Sequence, residues 1–186
     1  MTTDTIKEMY NKFEEFPDIS YNCIEYMMNN NELIWKLLKY NDKDAWKSDS
    51  KHPNLTKAQK GALIYDGSPD DTSFRIFFDI GQDNSWTEQA CILRITPIEI
   101  IPKNHVYGNV SVGFQVYSHY KINQLSNYKT RLNIVTQQLI SVFNGQEVGG
   151  LGRLYFDARA NSACRMTIGG QIPYKANNIT MCNWVA

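Results

Sequence analysis

The three histidines, His52, His105 and His119, are the first residues to test for chemistry. No pair of them shows the H-x-x-x-H spacing that sets two imidazoles on one helical face around zinc, so a histidine metal site would have to assemble from distant parts. His119 follows a long alternating stretch between Tyr117 and Tyr120 and reads as a packed or half-exposed side chain before it reads as a base. The acids of "YDGSPDD" (Tyr65 to Asp71) lack the alternate ligand spacing and closing glutamate of a calcium loop, and read as a solvated acidic turn. "GGLGR" (Gly149 to Arg153) has glycines but lies between a helix and a strand, the reverse of a phosphate loop, and lacks its Lys-Ser/Thr. Asp79, Asp83 and Glu99 have no nearby lysine to complete a nuclease-like set, and no Gly-x-Ser-x-Gly occurs. A site assembled from Asp66, Asp70, Asp79 and His119 is the weakest of three functional readings. The expectation is a protein that is not an enzyme and needs no metal or cofactor.

Cys23, Cys91, Cys164 and Cys182 are widely scattered, with no C-x-x-C pair, and three of them sit in apolar stretches. That pattern favours buried free thiols over disulfides. No apolar run approaches the ~20 residues of a membrane span, and the charged start "MTTDTIKEMYNKFEEF" is no secretory signal. A soluble protein of one domain, with an appended element, is expected from 186 residues.

Charge is zero overall but unevenly spread. Residues 1–100 hold 17 acidic and 11 basic side chains, and residues 101–186 hold 2 and 8. Such halves suit nucleic acid on the basic side, head-to-tail self-association, or internal compensation.

The elements that would position these residues begin with helices. Ile6, Met9, Tyr10 and Phe13 share a helical face before Pro17, and "ISYNCIEYMMNNNELIWKLLKY" continues the rhythm, with Asn29 to Asn31 as a possible break. Thr56 and Gln59 form a capping-box pattern. Strands follow: "FRIFFDI", then "ACILRITPIEIIP", which Pro97 demotes to an edge or splits. From Val106 to Tyr117 the alternation is clean, with Val110, Val112, Phe114 and Val116 on one face and Asn109, Ser111, Gln115 and Tyr117 on a wetter one. A helix starts near Ser126 as N-cap, with Tyr128, Leu132, Val135, Leu139 and Phe143 as its apolar face and Gly145 at its end. Lys129 and Arg131 in its first turn stand at the wrong end for the helix dipole, and so are candidates for an external acidic partner. "RLYFDARANSACRMTIGG" reads as a hairpin turning near Ala160 to Ser162, and "NNITMCNWVA" as a last strand. The fold class is α+β: N-terminal helices, an antiparallel sheet of about five to six strands, and one long amphipathic helix packed on it.

This order resembles the tail terminator, or tail-completion, proteins in the neck of tailed bacteriophages. The resemblance runs from about Ala62 to Ala186 and is carried mainly by "VSVGFQVYSHYKINQLSNYKTRLNIVTQQLISVFNG" and "LYFDARANSACRMTI". It implies a core domain over 61–186, with 1–60 as a helical arm or subdomain. It also implies a structural virion protein that assembles in the host cytoplasm into a ring, usually of six subunits. The ring would cap the tail tube, join it to the head-completion or connector protein, and let DNA pass through its lumen without specific binding. Interface candidates are Tyr117, Tyr120, Lys129, Arg131, Arg153, Arg159 and Arg165, with Trp46 and Tyr128 as further aromatic anchors. The alternative is a nucleic-acid-associated module using Arg153, Arg159 and Arg165, with Tyr155 and Phe156 between them on the basic hairpin.

Overall fold

The computed structural model describes residues 18–68, 73–78, 89–102, 108–149, 151–157 and 174–182. The expected helix over residues 6–13, the hairpin turn near Ala160, and Cys164, Arg159 and Arg165 lie outside them.

Helix α1 spans Ile19–Asn30 and α2 spans Leu33–Lys39. The asparagine run does divide them: Asn31 ends α1, and its Oδ1 accepts from the Ile34 amide (2.8 Å) to start α2. Helix α3 (Lys57–Gly61) opens on the Thr56–Gln59 capping box, with both reciprocal bonds formed. Strands β1 (Ile76–Phe77), β2 (Cys91–Pro102) and β3 (Gly108–His119) come next, then the short α4 (Tyr120–Asn123) and the long α5 (Arg131–Phe143). Strands β4 (Gln146–Val148), β5 (Gly152–Phe156) and β6 (Tyr174–Cys182) complete one six-stranded sheet in the order β1-β2-β3-β6-β5-β4. The sheet is mixed, because β1 runs parallel to β2 while the other pairs are antiparallel.

Alternation along β3 sorts its side chains. Val112, Phe114 and Val116 enter the core with Leu93 and Ile95 of β2, Ile179 and Met181 of β6, and Leu132, Val135, Leu139 and Phe143 of α5. Ile24, Met27, Trp35 and Leu38 of α1 and α2 belong to this same core. The described part of the expected N-terminal arm is therefore packed into the 61–186 unit, and the core crosses the boundary expected near residue 60. Cys23, Cys91 and Cys182 are buried free thiols. Burial pushes Cys23 up to about 12 and Cys91 to about 11, so both are unreactive hydrophobes near neutral pH.

Pro97 does not split β2. A register shift between Pro97 and Glu99 accommodates it, and β1 pairs only with Leu93 and Arg94 on that side of the strand. Opposite the shift, Gly113 leaves room for Ile98, whose Cδ1 would lie 2.8 Å from any Cβ placed there.

The start of α5 differs from the sequence expectation. Its N-cap is Thr130, whose side chain accepts from the Asn133 amide, not Ser126. Ser126 is engaged elsewhere: its hydroxyl donates to Asp44 Oδ1 (2.6 Å) and accepts from Trp46 Nε1 (3.0 Å). Tyr128 then turns the chain with a φ of 62°, which no helix accommodates, so its ring leaves the apolar face and points to solvent. Gly145, at φ 75°, ends the helical segment as expected.

Candidate interface

The seven interface candidates fall into different environments once folded. Tyr117 is 4% exposed and packs on the second face of the sheet with Ala90, Ile92 and Ala176. Its hydroxyl donates to Gln115 Oε1 (2.7 Å), and the Arg94 guanidinium lies 5.7 Å from its ring. It is a packing residue, because the wetter face read in the sequence is covered at this level. Tyr120 is 54% exposed, and Lys129 and Arg153 are exposed.

Arg131 is the largest correction, since it is fully buried. Its Nε donates to Ile122 O (3.1 Å), Nη1 to Leu37 O and Tyr40 O (2.6 Å to the latter), and Nη2 to Asp42 O (2.8 Å). Leu37 and Tyr40 lie at the C-terminal end of α2, where helix carbonyls lack amide partners and carry partial negative charge. Arg131 stands at the wrong end of its own helix because it caps the right end of another. Burial lowers the guanidinium pKa from its ordinary value, while the nearby Asp42 acts to raise it. The group keeps its charge, as arginine does in proteins.

Around this clamp the 41–54 loop is fastened to the 120–131 segment. The Ser126 amide donates to Lys43 O (2.9 Å), while within the segment Asn123 Oδ1 accepts from the Leu132 amide (3.1 Å). Within the loop, His52 is 5% exposed and joins two carboxylates, with Nε2 to Asp42 Oδ2 and Nδ1 to Asp49 Oδ1 both at 2.8 Å. The Asp42 hydrogen bond raises the His52 pKa against desolvation, and Asp49 adds to it. Desolvation acts to raise Asp42, yet the bonds from His52 and the Asp44 amide and the charges of His52 and Arg131 hold it below its ordinary value. Asp44 is held by Lys47 (2.8 Å) and Ser126.

The product of this network is a small closed knob. Gln124 and Thr130 form a bridge, Leu125 N donates to Lys129 O (3.0 Å), and Tyr128 N donates to Leu125 O (3.2 Å). At its tip Tyr128 is 94% exposed, with Lys129 beside it. Tyr120 and Lys121 stand at its base, the Lys121 Nζ 6.0 Å from the Tyr120 ring centroid. His119 caps the turn into α4, accepting the Lys121 amide at Nδ1 (3.2 Å), which assigns its proton to Nε2. Desolvation, then Lys121, lowers the His119 pKa, so it is neutral near pH 7.

Arg153 is not part of this surface. Tyr155 aligns with Cys182, which aligns with Ser111 near the start of β3, whereas Tyr120 follows its end. At ~3.3 Å per residue the two surfaces lie on the order of 30 Å apart along the sheet. Among the described residues, no three His, Cys, Asp or Glu side chains could hold a metal ion, and no helix is long and apolar enough to cross a membrane. Asp66, from the scattered set, is occupied in capping its own turn through the Ser68 amide (2.9 Å).

A family model, YomW, matches residues 31–170, three quarters of the chain. The chain belongs to the YomW family. This is a bacteriophage-derived family, and the matched stretch includes the 41–54 loop, the knob and α5. No curated protein matches this YomW-family chain.

Proposed function

We propose that this phage protein is a structural, non-enzymatic component of the virion neck or tail, acting as a ring that caps the tail tube and joins it to the head-side connector. The observation that carries this reading is the knob. A dense polar network, much of it buried, holds two exposed tyrosines and two exposed lysines in a fixed arrangement, and the acids beneath them are engaged by His52, Lys47 and Ser126. Rigid aromatic side chains rimmed by charge are what protein–protein hot spots are made of. The phage-derived family and the α+β order of elements agree with the resemblance to tail terminators. A nucleic-acid role retains one supporting observation, Arg153 and Tyr155 exposed on the same face of β5.

Native mass and negative-stain images of the purified protein, at low and high salt, test the proposal. Closed rings of about six or twelve copies are expected. Binding to single-stranded DNA that falls steeply with salt, from a protein that never assembles, would replace this reading with the nucleic-acid one.

A further inference from the structure

We infer that the knob of one copy docks on the outer face of α1 in a neighbouring copy; this deepens the ring reading above and rests on it. The outer face of α1 is the counterpart of the knob. Ile19, Cys23, Ile24 and Met27 point into the core, while Asp18, Tyr21 and Glu25, at the first residue, three on and seven on, are exposed, Tyr21 by 60%. This stripe is acidic and aromatic, and α1 contains no lysine or arginine. It runs ~10 Å along the helix, at ~1.5 Å per residue.

The knob is basic and aromatic. No acidic residue occurs between Glu99 and Glu147, so Lys121 and Lys129 have no acid within their own segment. The acids of the facing loop are already engaged, Asp44 by Lys47 and Ser126, Asp42 and Asp49 by His52. Two patches of opposite charge on one chain, each carrying exposed tyrosine, select a second copy as the partner. Tyr120 and Tyr128 supply the anchors, and the lysines facing Asp18 and Glu25 set register and speed encounter. Because the two patches are different surfaces, the contact is heterologous and repeats from copy to copy, closing into a ring where the rotation allows.

Two variants test the pairing: K121E with K129E, which makes the knob acidic, and D18N with E25K, which makes the stripe basic. All four side chains are exposed, so both variants should melt within a few degrees of the unmodified protein. Each alone should fall from the assembled mass to the 21.5 kDa monomer. Mixed in equal amounts they should reassemble, because the acidic knob of one now faces the basic stripe of the other. An unmodified protein that assembles alongside variants that also assemble would overturn the docking surface and leave the ring reading standing. Single variants that are monomeric but fail to reassemble on mixing would likewise overturn the pairing. An unmodified protein that stays monomeric under every condition would remove the ring reading, and the docking surface with it.

Discussion

The two ends of the sheet spend their polar groups differently. At the end where β3 gives way to α4, Arg131, Ser126 and Asp44 tie two loops together, Asn123 and His52 each brace one of them from within, and the outcome is an aromatic tip held clear of the surface. At the other end, Arg153 and Tyr155 ride on β5, which among the described residues has three paired with β4 and two with β6. Both ends expose a tyrosine and a basic side chain. The first fixes them with buried side-chain bonds to distant backbone, such as those of Arg131 to Leu37 and Tyr40. A surface prepared in this way loses little conformational entropy on binding, which is why rigid aromatic loops make effective contacts. Exposure alone therefore does not mark an interface, and what lies beneath the exposed residue is the better guide.

The sharpest way to break this contrast is to remove the clamp. Arg131→Ala leaves the Leu37, Tyr40 and Asp42 carbonyls without their donor and should cost about 3 kcal/mol or more, read as a drop in melting temperature on the order of 6–12 °C for a domain of this size. Arg153→Ala at the opposite end should stay within about 0.5 kcal/mol. Next in size is Asn123→Ala, which removes the acceptor of the Leu132 amide in the first turn of α5 and should cost about 1–2 kcal/mol by thermal or urea unfolding.

Tyr128→Gly should act in the opposite direction. A left-handed backbone costs a non-glycine residue ~1–2 kcal/mol, partly offset by the extra freedom glycine has when unfolded. The variant should gain about 0.5–1 kcal/mol as a monomer, while assembly weakens for loss of the anchor. A variant less stable than the unmodified protein would show that the Tyr128 ring contributes to the fold after all.

The smallest effect concerns His52. Its pKa is raised in the fold, so its stabilisation is fully present below 6.5, the ordinary value, and fades as pH rises through the folded value. Asp42 and Asp49 are depressed, so their share is present above 3.8 and fades as pH falls through their folded values. The loop is fastened most firmly between those limits. Melting temperature against pH should show a shallow decline above about pH 6.5 that disappears in His52→Gln.

Much of the fold is legible in the chain. The period of Leu132, Val135, Leu139 and Phe143, the alternation of Val112, Phe114 and Val116, and the Thr56–Gln59 box are local patterns, and local patterns survive folding. The candidate site was legible only in part. Tyr120, Lys129 and Tyr128 could be named from their types, but the buried state of Arg131 could not, because three of its four acceptors are backbone carbonyls some 90 residues away that any residue could carry. The burial of Tyr117 is hidden for a related reason: alternation shows that two faces exist but not whether the second is covered. The parallel pairing of β1 rests on two residues, too few to leave a signal in the sequence.

The most direct measurement is tyrosine footprinting at concentrations below and above the onset of assembly, resolved residue by residue. Tyr128, Tyr120 and Tyr21 should become protected together as the native mass rises, while Tyr155 stays reactive. Protection of Tyr155 with Tyr128 left open, or a mass that never rises, would contradict the assignment of the knob as the surface through which copies of this chain meet.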